Sequence, residues 1–348
     1  MTANGPGYSA VVDCSARLGQ IAPAQFQAAL DRFDLGKFIG ATPIPFGLFG
    51  QNVFLTSTAG EFVLRGCPHY PWQFPCERFF ARLLHERSAT PVPWPYLIDH
   101  GEDIFGWSYV IMPRMPGLQL ADPAVRAGLS ATDQLEIAQA LGTELATLQE
   151  AAWPCAGRYD LAQDTIQPFG QAYFEWAAAD TRRWLALARA HDDRTTQADA
   201  DWVEGIIEAA RPALQVAFQP CVVLQDYKEA NLTVSRRSGA HENWRVTGVF
   251  DLMEAFAGDG EADLVRSTAG YLDYAPALAR AFVDAYFDRL PQRPGFAARY
   301  ALYMLRDRLI YWEYFHRPGQ RWKHEQTTLP DWAGRYLDAG AVIDAEPR

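Results

Sequence analysis

Apolar residues in the first third of the chain gather in short runs, whereas beyond about residue 120 they recur at three and four spacing, and that change of period predicts two architectures in one polypeptide. Ala22 to Phe38 places Phe26, Leu30, Phe33 and Phe38 at roughly helical intervals and predicts a leading helix. The segment IPFGLFGQNVFLTSTAGEFVLRG reads as a hairpin entered through a glycine-containing loop. Val53, Phe54 and Leu55 lie in one strand, Phe62, Val63 and Leu64 in the other, and Ala59 and Gly60 stand at the turn. One helix follows, in PCERFFARLLHERSATPVP. Its Phe79, Phe80, Leu83 and Leu84 share a face, and Pro91 and Pro93 forbid its continuation. Tyr96 to His100 and Trp107 to Met112 add two apolar runs separated by GEDIFG.

The stretch PRMPGLQL, Pro113 to Leu120, is too rich in proline and glycine for an element interior and predicts the connector. The expected division is therefore 1–112, a small β-rich part, 113–120, a hinge, and 121–348, a larger and mainly helical part: an α+β chain. In the second part Ser130 and Asp133 are spaced as a capping box ahead of Ala138, Leu141, Leu145 and Leu148. Further helices are predicted from about Trp202 to Val216, Ala275 to Leu290 and Ala297 to Phe315, with three β-like runs, CVVL, NLTV and RVTGVF, embedded among them.

Composition narrows the partners. With 49% hydrophobic residues and 46 aromatic side chains (11 Trp, 15 Tyr, 20 Phe) there is ample material for a core, which excludes disorder. A formal charge of -11 repels nucleic acid and acidic membranes and suits a cationic small molecule. The five cysteines form no CxxC pair, no 18-residue apolar span is present, and the histidines lack metal-ligand spacing; a cytoplasmic chain without membrane span or zinc site is expected.

The chemistry concentrates in CVVLQDYKEANLTV. An apolar strand delivers Asp226 into a short loop that also holds Lys228 and closes on Asn231, and RVTGVFDLMEA ends a later strand in Asp251. Phosphoryl transfer calls for such a set, a carboxylate to receive the acceptor proton and oxygen ligands for magnesium on the phosphates. Taken singly, Asp226 and Asn231 are common turn residues; two strand ends converging on one loop raise them above that reading.

Asp226-Tyr-Lys-Glu-Ala-Asn231 followed by Gly248-Val-Phe-Asp251 resembles the catalytic and metal-binding loops of the aminoglycoside phosphotransferase family, and GDGEADL, Gly258 to Leu264, resembles its GDPxxDL element. The resemblance runs from about Ile44 to Tyr311 and implies a two-lobed protein-kinase-like fold. It implies that Asp226 is the catalytic base, that Asn231 and Asp251 ligate Mg²⁺, and that Lys228 steadies the transferred phosphate. ATP or GTP would be the donor, covered by Gly47, Gly50 and Asn52, with Arg65 on the phosphates paired to Glu77 and with Pro113 and Met115 lining the base. The acceptor would be a hydroxyl of an aminoglycoside-like antibiotic or a small metabolite.

Two departures bear on activity. Arg65 stands where the family commonly has Lys; a guanidinium keeps the charge but changes the geometry of phosphate binding. Gln225 precedes the catalytic Asp where the family has His, and an amide likewise donates and accepts hydrogen bonds. A catalytically silent kinase-shaped protein is the rival expectation. Glu77 read alone is a solvated helix residue, Asp259, Glu261 and Asp263 read as helix capping, and Asp307, Trp312 and Glu313 read either as core or as an acceptor wall.

Overall fold

The computed structural model describes residues 20–44, 51–191, 193–236, 243–320 and 327–343, which divide into two compact units, Met1–Arg82 with Pro93–Arg114 and Leu83–Val92 with Met115–Arg348. Gly47 and Gly50 of the expected phosphate loop lie outside the described residues.

In the first unit the leading helix α1, Pro23–Arg32, stops six residues short of the expected Phe38. Asp34 and Gly36 take left-handed φ of 55° and 78°, which no α-helix accommodates, and Phe38 instead opens a strand, β1, Phe38–Pro43. The hairpin expected next is present as β2, Gln51–Ser57, and β3, Gly60–Gly66, joined through Thr58 and Ala59. The helix α2, Gln73–Arg87, and the strands β4, Leu97–Asp99, and β5, Tyr109–Pro113, follow. All pairings are antiparallel, in the order β1-β2-β3-β5-β4. Side chains alternate across the sheet. Val53, Leu55, Leu64, Tyr109 and Ile111 therefore meet Phe26, Ala29 and Leu30 of α1 on one face, while Val110 and Met112 meet Phe74 of α2 and Tyr96 on the other.

The second unit begins with β6, Leu118–Gln119, so the expected connector is not all loop: β6 pairs antiparallel with Thr233 and Val234. After α3, Pro123–Gly128, comes α4, Ala131–Leu148, whose start is the predicted capping box, Ser130 Oγ accepting from Asp133 N at 3.1 Å and Asp133 Oδ2 from Ser130 N at 3.0 Å. Two short strands, β7, Gly157–Asp160, and β8, Thr165–Pro168, lead into a helical pair, α5, Tyr173–Arg189, and α6, Gln197–Leu214. The predicted runs then appear as β9, Cys221–Val223, β10, Leu232–Arg236, and β11, Trp244–Val249, followed by β12, Phe256–Gly258. Two small sheets result, β11-β10-β6 and β8-β7-β12-β9. The chain closes with α7, Leu264–Tyr274, α8, Pro276–Phe287, α9, Phe296–His316, and α10, Leu329–Ala333. Among the described residues no helix is long and apolar enough to cross a membrane.

Candidate active site

The loop after β9 is fixed by one buried carboxylate. Asp263 accepts the backbone N–H of Leu224 at 2.6 Å and of Gln225 at 2.7 Å. Burial pushes its carboxyl up to about 7, against the pull of those two N–H groups. Gln225 itself sits at φ 65°, a conformation that costs a non-glycine residue of order 1–2 kcal/mol, so the loop needs such an anchor. Its side chain adds another: Nε2 donates to the Glu254 carbonyl at 2.5 Å, while Oε1 accepts from Arg306 at 2.6 Å. Arg306 of α9 is held in turn by Asp180 of α5 at 2.6 Å. The amide at 225 therefore uses both its donor and its acceptor end.

Past Gln225 the loop carries the expected residues to one place. Asp226 Oδ2 accepts from Lys228 Nζ at 2.7 Å and from Asn231 Nδ2 at 3.0 Å, and Asn231 Nδ2 also reaches the Asp226 carbonyl at 3.0 Å. Tyr227 turns inward, its hydroxyl donating to the Leu141 carbonyl of α4 at 2.8 Å and its carbonyl accepting from Ser267 of α7. Asn231 ends the loop and leads into β10, whose partner β11 delivers Asp251. Leu232 pairs with Val249, and Phe250 N donates to the Asn231 carbonyl at 3.2 Å. Asn231 and Asp251 therefore occupy the same end of one hairpin, and Asp251 has a left-handed φ of 68°.

Sequence reasoning missed Arg266, which is half-buried on α7 two residues past the GDGEADL element. Its Nε lies 3.5 Å from Asp226 Oδ1 and 2.8 Å from Asp307 Oδ1. Burial works against its charge, but Asp307, then Tyr311 and Asp226, outweigh it and hold the guanidinium protonated. Asp307 is shared with Arg308; burial opposes its ionisation, yet Arg266 and Arg308 bring its carboxyl below the usual range. Asp307 thus serves inside the protein rather than as free acceptor wall, and Trp312 and Glu313 are likewise buried. Of the acidic cluster, Asp259 accepts from Arg293 and Tyr303 as well as capping Glu261 N, and Glu261 accepts from Arg293 and Arg299. These carboxylates hold α9 and the preceding turn together.

In the first unit Arg65 and Glu77 pair at 3.0 Å. Glu77 is fully buried, not solvated, and accepts from the Tyr96 hydroxyl at 2.7 Å. Arg65 stands opposite Asn52 in the β2–β3 ladder. Pro113 ends β5 opposite Phe62, and Met115 lies where a side chain on Gly248 would need to stand.

The metal ligands can be tested against these contacts. With its Nδ2 committed to Asp226, the Asn231 amide has a carbonyl oxygen as its remaining polar atom, and Asp251 supplies a carboxylate. Among the described residues no group of three His, Cys, Asp or Glu could hold a metal. One amide oxygen with one carboxylate is the sparse, hard-oxygen set Mg²⁺ accepts when phosphates and water complete its shell.

An antiparallel sheet with a buried Arg–Glu pair, followed by a mainly helical unit with an Asp-loop-Asn and an Asp at the next strand end, defines the kinase-like class of phosphotransferases. The phosphotransferase enzyme family model (APH) matches residues 40–301, and the chain belongs to that family. Its fold is similar to that of a thermostable mutant of aminoglycoside phosphotransferase APH(4)-Ia in ternary complex with ADP and hygromycin B, at 18% identity and a TM-score of 0.62, over 90% of this chain and 96% of that one. A second mutant of that enzyme, with AMP-PNP and hygromycin B, matches at 18% identity and 0.63 over 94% and 100%. The GDP complex of wild-type aminoglycoside 2'-phosphotransferase-IIIa matches at 13% identity and 0.56 over 88% and 94%. At these identities the likeness shows the fold. No curated protein matches the sequence.

Proposed function

We propose that the protein transfers the γ-phosphoryl group of ATP or GTP to a hydroxyl of a small molecule. The observation that carries this reading is the Asp226 carboxylate, held on one oxygen by both Lys228 and Asn231 at the hairpin end that bears Asp251. Such bonds fix its orientation and leave a carboxylate to take the proton of an incoming hydroxyl. The acceptor oxygen forms its bond to the γ-phosphorus as the bond from that phosphorus to the β–γ bridging oxygen breaks. The nucleoside diphosphate leaves with the electron pair, and the hydroxyl proton goes to Asp226. Lys228, whose ammonium already touches Asp226, offsets charge on the moving phosphoryl group. Arg65, oriented by Glu77, and Asn52 beside it in the ladder are assigned to the donor phosphates, with Gly47 and Gly50, and Pro113 and Met115 to its base. Mg²⁺ held by the Asn231 carbonyl oxygen and Asp251 would neutralise the phosphates; the chain's part is to present those two oxygens together.

The test is nucleoside diphosphate release by wild type and Asp226→Asn with Mg²⁺ and a panel of hydroxylated acceptors. A loss of about 10²–10⁴-fold is expected for the variant, the usual worth of a positioned proton acceptor. Equal release by both proteins would leave a nucleotide-binding scaffold as the better description.

A further inference from the structure

The helical unit contains a cavity of about 870 Å³, within the roughly 300–1,000 Å³ of small-molecule sites. Among the described residues its wall carries Arg126, Lys228, Arg266, Arg308 and Arg335 against only Glu229 and Asp273. In a chain whose acids outnumber its bases 42 to 31, the ratio is reversed here.

The pairing of these groups decides what the charge means. Arg126 is joined to Glu229, and Arg335 to Asp273 at 2.6 Å, so two of the cations are balanced by the two wall carboxylates. The other three form a row with two carboxylates set between them. Lys228 meets Asp226 at 2.7 Å, Arg266 lies 3.5 Å from Asp226 and 2.8 Å from Asp307, and Arg308 meets Asp307. Three positive charges alternate with two negative ones, and one positive charge is left over. At the far end of the row the Arg308 guanidinium lies 4.8 Å from the Tyr311 and Tyr336 ring centres and 5.7 Å from that of Trp332. Those faces hold the guanidinium in place and strip water from it, which strengthens its attraction for an anion.

We propose that the cavity binds an acceptor carrying one oxyanion, a carboxylate or a phosphate monoester, seated toward Arg308, with a flat or apolar face against the aromatic wall and its hydroxyl toward Asp226. The proposal deepens the phosphotransferase reading and rests on it. A carboxylate's single charge completes the row and a phosphate monoester, at about -1.5 to -2, exceeds it by no more than about one charge, whereas a polycation would add to the excess and find only carboxylates already paired. The net charge of -11 favours cationic acceptors at long range, but the contact surface carries the opposite sign, and bound ligands respond chiefly to charges within about a Debye length of 8–10 Å.

Matched acceptors that share a sugar ring and differ at C6, where a carboxylate or a phosphate ester stands in place of the neutral hydroxymethyl group, test this without altering the protein. Phenyl β-glucuronide is compared with phenyl β-glucoside, and glucose 6-phosphate with glucose, while hygromycin B supplies the cationic arm. Binding is read by calorimetry and turnover by diphosphate release. The charged member of at least one pair should bind tenfold or more tightly than its neutral partner, with the advantage shrinking as salt is raised, and the responding pair tells carboxylate from phosphate. Arg308→Gln should raise KM for that charged acceptor at least tenfold while changing KM for its neutral partner less than threefold. Equal binding within pairs, preference for hygromycin B, no binding by any member, or displacement of glucose 6-phosphate by ADP would each overturn the proposal. If instead the anions bind as expected but Asp226→Asn leaves diphosphate release unchanged, the cavity assignment stands and the phosphotransferase reading falls.

Discussion

Gly142 lies on α4, one residue past the carbonyl that takes the Tyr227 hydroxyl, and α8 presses directly on it. A side-chain Cβ at this position would stand 2.1 Å from the Phe282 carbonyl oxygen and 3.1 Å from Ala285 Cβ. Gly142→Ala is informative because two physical effects carry opposite signs. Alanine is the better helix former and on that ground alone should stabilise the protein by about 1 kcal/mol. Reaching an ordinary contact, however, requires the two helices to part by about 1 Å, and a close-packed interface resists such a shift at a cost of about 1–3 kcal/mol, more where, as here, the obstacle is backbone. Steric cost wins, leaving a net destabilisation of about 2 kcal/mol or more. Because α4 carries the Leu141 carbonyl, movement there also slackens the Tyr227 anchor beside Asp226, so kcat should fall while KM for nucleotide holds. Equilibrium unfolding in urea, compared at constant slope, reads the first effect and steady-state kinetics the second. A variant more stable than the parent by about 1 kcal/mol would refute the reasoning, since propensity alone would then account for it.

Glu77→Ala removes the carboxylate that pairs with Arg65 and takes the Tyr96 hydroxyl, and should destabilise by about 3–5 kcal/mol in denaturant melts, as breaking a buried ion pair does. Burial alone would raise the Asp180 carboxyl, but Arg306 and then Arg183 outweigh it and bring it from 3.8 down to about 2. A depressed acid stabilises the fold while it is ionised. Its contribution, about 2 kcal/mol, is complete above the ordinary value and fades as pH falls toward 2. Asp180→Asn should therefore lower stability at pH 7 and flatten the loss between pH 4 and 2; an unchanged acid melting curve would contradict that. Removing Mg²⁺ with EDTA should abolish turnover, and Asn231→Ala should raise the Mg²⁺ needed for half-maximal rate by on the order of tenfold, read by titration.

The loop and the hairpin were legible because their polar residues sit between continuous apolar strands, so Asp226, Asn231 and Asp251 stood out by position as well as type. The groups that hold them were not. Asp263 stood out only as a helix-capping residue, yet its side chain makes no capping bond and holds Leu224 and Gln225 instead; Arg266, Arg306 and Asp180 come from distant segments, and nothing in local periodicity says which arginine will meet which carboxylate. Helix α5 escaped notice because much of its buried face is built from Ala177, Ala178, Asp180 and Ala188, small or charged residues that carry little hydrophobic signal. The strands β7 and β8, in GRYD and TIQP, owe their form to pairing with each other rather than to apolar alternation. The early end of α1 turned on two left-handed residues, and Gly36 could do this as well as any glycine, but Asp34 gave no comparable warning.

The pairing of β6 with β10 has a mechanical consequence. The polypeptide entering the second unit is not a slack tether: Leu118 and Gln119 are stitched to Val234 and Thr233, and Thr247 Oγ1 donates to the Pro116 carbonyl at 2.6 Å. At Gly117, φ is 109°, and any side chain there would strike Thr247 and Val234. A shift of the chain at Pro116 or Gly117 is therefore felt within two residues of Asn231 through ladder bonds, so lengthening this seam by even one residue should displace the loop that ends at Asn231, where the same insertion in a loose linker would pass unnoticed.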